Sequence, residues 1–338
     1  AIEIYVSMRN FFPDNLEYGL KLADAQNSSG RSKDALVTIE ALHKLPPPSG
    51  DDPRLDLAEA VAARILADSK RAVEASARAA AKGTERGKQY LVARARFDEG
   101  SALHNLGQFD KGQAALEESE RLFAAIGDRR GLAGALMNHG LILANRGDLA
   151  AARKLSEQAL ALYRQVGNPS GVALVQGNLG NFHFVQGDLN RARKRWEETL
   201  ATYREIDDKE GMARMMNNIA SALGLTGDVV GARKMFESAL ALYREIGQKS
   251  GIAVALDNIA TALRDEGNLA EAKKLFTEAQ AIWREIGDTA YLSYSLHAYG
   301  ELLRAEGDLA AARKTHEEAL KVRSEIGAKP EAAESRLA

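Results

Sequence analysis

A glycine recurs every 40 residues through most of this 338-residue chain. In five of six copies a polar residue and then an aliphatic one follow it, as in Gly147-Asp148-Leu149. A fixed period of this length is the signature of a stacked repeat, in which each unit packs mainly on its neighbours. The chain is therefore expected to fold as an array, not around one large core. The glycine column consists of Gly107, Gly147, Gly187, Gly227, Gly267 and Gly307.

Each period contains two helical segments separated by residues that break helices. Between Gly171 and Gly187 the apolar residues follow helical spacing, and the segment ends at the glycine. Asp188 can then cap a second helix, whose apolar residues are spaced by three and four. No segment shows the alternation of a strand. The sequence therefore predicts an all-α protein built from helix pairs.

Small residues recur where the two helices of a pair would cross. Glycine or alanine occupies one such column, and bulky side chains fill the gap it leaves, as Trp196 does beside Gly180. A glycine inside a helix costs about 1 kcal/mol relative to alanine, so close helix approach is its expected reason. We interpret these columns as core. The small column is Gly100, Gly140, Gly180, Ala220, Ala260 and Gly300.

The order Asn178-Leu179-Gly180, Gly187-Asp188-Leu189, Ala192, Trp196, Leu200 resembles the tetratricopeptide repeat (TPR) in a form of 40 residues per unit. The resemblance implies a right-handed α-solenoid, a superhelix of stacked antiparallel helix pairs. The sequence of residues 147–167 also resembles the repeats found in arrays of bacterial signalling proteins, among them serine/threonine kinases and transcription regulators.

The repeat accounts for nearly the whole chain as one predicted superhelical domain. Residues 86–327 hold six regular units, and 16–83 hold two diverged units, in which Ala67 replaces the turn glycine. Residues 1–15 are interpreted as the second helix of a truncated unit, and 328–338 as a tail that is a short helix or disordered. Since the chain starts at Ala1, we interpret it as a piece of a longer protein.

Several classes of function are disfavoured by composition. The chain has no cysteine, a formal net charge of −2 and no apolar run long enough to span a membrane. Its six histidines fall in different repeat columns, and the glycines of 83–89 have the wrong spacing for a phosphate loop. We therefore expect no enzyme activity, cofactor or metal, and no direct partner among nucleic acids or membranes.

The resemblance implies that the first helix of each unit lines a concave groove. Four successive units place asparagine at the same groove position, and an amide can pair with a peptide backbone through both its donor and its acceptor. The alternative is that these asparagines tie neighbouring units together. The predicted groove residues are Asn138, Asn178, Asn218, Asn258, Met137, Asn181, Phe184, Arg214, Asn217, Asp257, Arg264, Tyr294, His297, Glu301 and Arg304.

The sequence thus predicts a non-enzymatic scaffold that binds a protein or peptide in its groove, as the regulatory part of a larger bacterial signalling protein. The alternative is a sensor of peptides or small ligands whose superhelix changes compaction on binding. We expect a cytoplasmic location, with the periplasm as the alternative if a membrane span lies upstream. The sequence does not indicate an oligomeric state.

Overall fold

The computed structural model describes residues 2–325, so the predicted tail at 328–338 lies outside the described residues. Within the described range the chain forms 17 α-helices and one short 3-10 turn, Ser49–Asp51, and no strand. The all-α prediction is confirmed. The chain divides into two compact units, Ala1–Val175 and Gln176–Ala338. The single superhelical domain stays a prediction.

Unit 1 is a series of antiparallel helix pairs that follows a first single helix. The predicted truncated unit corresponds to this single helix, which ends just before Pro13. The helices are α1 (Ile2–Phe11), α2 (Leu16–Ser28), α3 (Ser32–Leu42), α4 (Pro53–Ile65), α5 (Ser69–Glu85), α6 (Gln89–Asn105), α7 (Phe109–Ile126), α8 (Arg129–Asn145), α9 (Leu149–Gln165) and the start of α10 (Pro169–Val185).

Unit 2 continues the same pattern with almost uniform helix lengths. It holds the rest of α10 and then α11 (Leu189–Glu205), α12 (Lys209–Leu225), α13 (Val229–Glu245), α14 (Lys249–Asp265), α15 (Leu269–Ile286), α16 (Thr289–Glu306) and α17 (Leu309–Glu325). In both units the first and second helices of a pair pack along most of their lengths.

The turns between helices need one residue in the left-handed backbone region. Glycine supplies it in most units, as Gly187 does with a φ of 77°. Where glycine is replaced, Ala67 and Asp207 take the same conformation, with φ of 59° and 52°. Asp188 then caps α11 by accepting a hydrogen bond from the backbone N–H of Arg191 at 3.1 Å. The sequence prediction of turn and cap is confirmed at these positions.

One boundary differs from the sequence prediction. The second diverged unit was expected to end at Gly83, but α5 runs on to Glu85 and the turn is made at Gly87, with a φ of 63°. Gly83 instead faces α6, where an added Cβ would lie 3.0 Å from Val92. It is therefore a packing glycine inside the helix.

The first helices of successive pairs form an inner row in each unit. In unit 1 α2, α4, α6 and α8 contact each other in order, and in unit 2 α12 contacts α14, which contacts α16. The second helices of neighbouring pairs approach each other far less among the described residues. The first helices therefore lie on the inside of the curve of each unit, where a groove is expected.

Candidate functional site

The inner row of unit 2 carries two neighbouring clefts. One, of about 420 Å³, lies between α14 and α16 and is here called the Asp257 cleft; the other, of about 320 Å³, is called the Arg214 cleft. Val254 and Tyr291 line both clefts, so the two adjoin each other. The predicted groove residues that line them are Asp257, Asn258 and Tyr294 in the first and Arg214 and Asn217 in the second.

Asp257 is a partly buried acid with neutral hydrogen-bond donors. Its Oδ1 accepts from Ser295 Oγ at 2.6 Å, and its Oδ2 accepts from Trp283 Nε1 at 2.8 Å. Burial raises the pKa of Asp257 to about 7, because desolvation of the carboxylate outweighs both hydrogen bonds. Near neutral pH this carboxyl group is therefore present in both protonation states.

Aromatic rings surround this acid. Tyr291 stacks on Trp283 with ring centres 4.8 Å apart, and it meets Tyr294 edge-on at 6.3 Å. Tyr291 occupies a column that holds glycine in four earlier units, where the glycine packs tightly under an aromatic ring; a Cβ on Gly211 would lie 2.3 Å from Tyr203. In the last unit the packing glycine of this column is therefore replaced by Tyr291, whose ring lines both clefts.

The predicted asparagines make hydrogen bonds between consecutive inner helices. In unit 1, Asn138 Nδ2 donates to Ser101 Oγ at 2.7 Å. In unit 2, Asn218 Nδ2 donates to Asn181 Oδ1 at 3.2 Å, and Asn258 Nδ2 donates to Asn217 Oδ1 at 2.9 Å.

These bonds support a role of the asparagines in tying units together. The four asparagines of the column remain half-buried, so part of each side chain still reaches the surface. This column comprises Asn138, Asn178, Asn218 and Asn258.

Other predicted groove residues contact core side chains of their own repeat or of the preceding one. Arg214 donates to the Tyr203 hydroxyl at 2.9 Å, and the Phe184 ring lies 5.5 Å from Trp196. Asn181 accepts from Trp196 Nε1 at 3.1 Å. Met137 is another predicted groove residue, but it is only 9% exposed and so has little surface available to a partner.

The predicted charged residues near the end of the inner row form ion pairs with neighbours on their own helices. Arg264 bonds Asp265 at 2.7 Å, and Glu301 bonds Arg304 at 2.6 Å. The hydrogen bond from Arg304 is the main cause that lowers the pKa of Glu301. His297 lies 5.0 Å from the His316 ring, and burial, followed by His316 and Arg323, lowers its pKa.

A cluster with metal-ligand chemistry lies in unit 1. Ligand atoms of His43, Asp56 and Glu59 lie within 4.8 Å of one another. Both carboxylates are already bound by cations, since Arg78 contacts Asp56 at 2.9 Å and Glu59 at 2.6 Å, and Lys82 contacts Asp56 at 2.9 Å. The cluster therefore fits an internal charge network better than an ion site.

Among the described residues no helix is long and apolar enough to cross a membrane.

Helix pairs, turn residues and packing columns define an all-α repeat protein. Family models described as tetratricopeptide repeat match residues 132–167, 171–245 and 251–325, more than half of the chain. The chain belongs to the tetratricopeptide repeat family, as the sequence resemblance predicts. No curated protein sequence matches it.

Solved structures of similar fold cover most of the chain. The apo quorum sensor NprR from B. thuringiensis aligns with a TM-score of 0.68 at 12% identity, over 95% of this chain and 92% of that one. The Rap conjugation gene regulator of plasmid pLS20, solved with the Phr* peptide, gives 0.66 at 14% identity, over 92% and 96%. A signal-transduction ATPase with a tetratricopeptide repeat sensor, from Pyrococcus horikoshii, gives 0.62 at 15% identity, over 96% of this chain and 52% of that one. At these identities the likeness concerns the fold.

Proposed function

We propose that this chain is a regulatory interaction module that binds a peptide or partner segment along the inner row of unit 2. The observation that carries the proposal is the composition of the two adjoining clefts. They combine half-buried amides, an acid and tyrosine rings on consecutive inner helices, which is the mixture of apolar surface and few placed polar groups typical of binding sites.

Repeat geometry supports an extended ligand. Asn218 on α12 and Asn258 on α14 occupy the same repeat position, and Asn217 precedes Asn218 on α12. Each amide has donor and acceptor capacity beyond a single inter-helix bond. A peptide chain laid across α12 and α14 would meet an equivalent amide on each of the two helices. The structure of a fold relative in complex with the Phr* peptide is consistent with a peptide as ligand.

The test is a selection of displayed random peptides on the full 338-residue chain. The variant Asn217→Ala, Asn218→Ala, Asn258→Ala is expected to lose the enriched peptides. A matched control changes three exposed polar residues of the second helices, Asn190→Ala, Ser238→Ala and Thr277→Ala, and should bind as the parent chain does. Circular dichroism melts of both variants separate loss of binding from loss of fold.

Failure to enrich any peptide sequence over an unselected pool would refute the proposal. Equal loss of binding in the inner-row variant and the outer control would refute it as well, because the clefts would then have no special part in binding.

A further inference from the structure

Among the described residues, the partly buried Asp257 differs from the buried acids Asp56 and Asp98 in having no cation beside it. Asp98 is 3% exposed and pairs with Arg94 at 3.1 Å, and Asp56 pairs with Arg78 and Lys82. Within residues 2–325, Asp257 forms no ion pair with lysine, arginine or histidine. A carboxylate withdrawn from water without a counter-charge is costly to keep charged, so the group either takes up a proton or pairs with a cation that a ligand supplies.

Charged residues from three neighbouring helices lie around the two clefts. Glu210 and Arg214 lie on α12, and Asp288 lies at the start of α16. Arg323, on α17, has its guanidinium carbon 5.4 Å from the Tyr294 ring centre. Only burial and the hydrogen bonds from Ser295 and Trp283 shift the pKa of Asp257, so no neighbouring cation compensates it. Acids outnumber bases among the lining residues of the clefts, which favours a cationic guest.

The shape and chemistry of the cleft favour a guanidinium over an ammonium group. Each oxygen of Asp257 accepts one hydrogen bond from the protein and keeps a second lone pair, which matches the two parallel N–H groups of arginine. Tyrosine rings on the wall can stack on its planar face. Unit 2 already shows this contact internally, since Arg214 lies 5.8 Å from the Tyr203 ring centre.

We propose that the Asp257 cleft is the specificity pocket for an arginine side chain of the bound peptide, with the guanidinium paired to the Asp257 carboxylate and packed against Tyr291 and Tyr294. This inference rests on the proposed function and adds the class of residue that the site selects. The amides of the inner row bind the backbone of the peptide, and the Asp257 cleft binds one of its side chains selectively.

The experiment compares selected peptides in which arginine is replaced by citrulline, which has nearly the same shape and no charge. Enriched peptides are synthesised with a fluorescent label, and their dissociation constants are measured by anisotropy against the full chain at pH 8. We expect a shared arginine in the enriched set, and we expect citrulline to weaken binding by about tenfold or more, as loss of a charge-assisted bidentate pair does. Asp257→Asn should weaken the arginine peptide to the same level.

The combination of the two changes is the decisive measurement. If the arginine contacts Asp257, citrulline should cost nothing further in Asp257→Asn. The control Glu271→Gln removes an exposed acid of α15 that lies outside both clefts, and it should leave both dissociation constants unchanged. Binding of the arginine peptide should also weaken by about tenfold between pH 8 and pH 6, as the carboxylate becomes protonated.

Three outcomes would overturn the inference: enriched peptides without arginine, a citrulline peptide that binds as well as the arginine peptide, or effects of citrulline and Asp257→Asn that add independently. Each of these leaves peptide binding itself intact. A selection that enriches no peptide at all is different, because it refutes the proposed function and this inference together.

Discussion

The indole of Trp196 lies directly against the backbone of Gly180, so that a Cβ on this glycine would lie 2.4 Å from Trp196 Nε1. The indole N–H donates to the carbonyl oxygen of Gly177 at 3.1 Å, which holds the ring in place, and Trp196 is only 2% exposed. The contact joins α10 to α11 in unit 2 and shows why this repeat column holds only glycine or alanine.

We expect Gly180→Leu to destabilise the protein by about 1–3 kcal/mol, because the buried indole has no room to move away from the new side chain. Denaturant melts of the variant and the parent chain measure the difference. Gly224→Ala is the matched control on α12, since its new Cβ would meet only Ala232 at 3.7 Å. In the control, alanine should increase stability by about 1 kcal/mol through its higher helix propensity. Equal stability of Gly180→Leu and the parent would show that the assigned contact is wrong.

The turns allow a second prediction, because Ala67 and Asp207 take the conformation that glycine takes in the other units. A left-handed conformation costs alanine about 1 kcal/mol and costs aspartate less. Ala67→Gly and Asp207→Gly should therefore raise the free energy of unfolding, despite the greater freedom of glycine in the unfolded chain. Gly247→Ala, at a turn with a φ of 68°, should lower it by a similar amount. Thermal melts of the three variants check the opposite signs.

The repeat template explains how much could be predicted from the sequence. Column periodicity predicts helix pairs, the turn residues and the fit of Trp196 beside Gly180, since each follows from spacing within one unit. Contacts between inner helices depend on the rotation from unit to unit, which the period does not specify. The asparagine column illustrates this difference between units. Asn218 and Asn258 occupy the same repeat position, yet Asn218 donates to Asn181 whereas Asn258 donates to Asn217.

The environment of Asp257 could not be predicted for the same reason. Its partners Trp283 and Ser295 lie 26 and 38 residues away along the chain, on two other helices. The replacement of glycine by Tyr291 in its column is one sequence signal that this unit departs from the repeat pattern.

The charge network of unit 1 yields a third prediction. Asp56 is fully buried, and Arg78 bonds both Asp56 and Glu59. Arg78→Met keeps much of the side-chain stem but leaves the acids with fewer counter-charges. We expect the free energy of unfolding to fall by about 2–3 kcal/mol. This is less than for a fully buried pair, because Lys82 still pairs with Asp56.

The matched control for this change is Arg284→Met. Its pair with Glu318 is half exposed on both sides and should contribute less than about 1 kcal/mol. Urea melts of both variants compare the two losses, and equal losses would mean that the buried network adds nothing over a surface pair.

The pH dependence of stability gives the last prediction. The pKa of Asp257 is about 7 in the folded protein against an ordinary value of 3.8, so the folded state holds this proton more tightly than the unfolded state. Stability contributed by this group is therefore present below pH 4, declines as the pH rises towards 7 and is lost above it. Asp257→Asn is neutral at every pH and can still accept from Trp283. Its free energy of unfolding should match that of the parent near pH 4 and exceed it above pH 7, by at most about 4 kcal/mol.

Urea melts of both proteins across this pH range measure the difference, with the exposed Glu271→Gln expected to show no such trend. A variant that gains stability while it loses the arginine peptide would mark Asp257 as a residue kept for binding at the expense of folding. If Asp257→Asn is instead less stable at pH 8, the carboxylate serves chiefly to hold Trp283 and Ser295 in place.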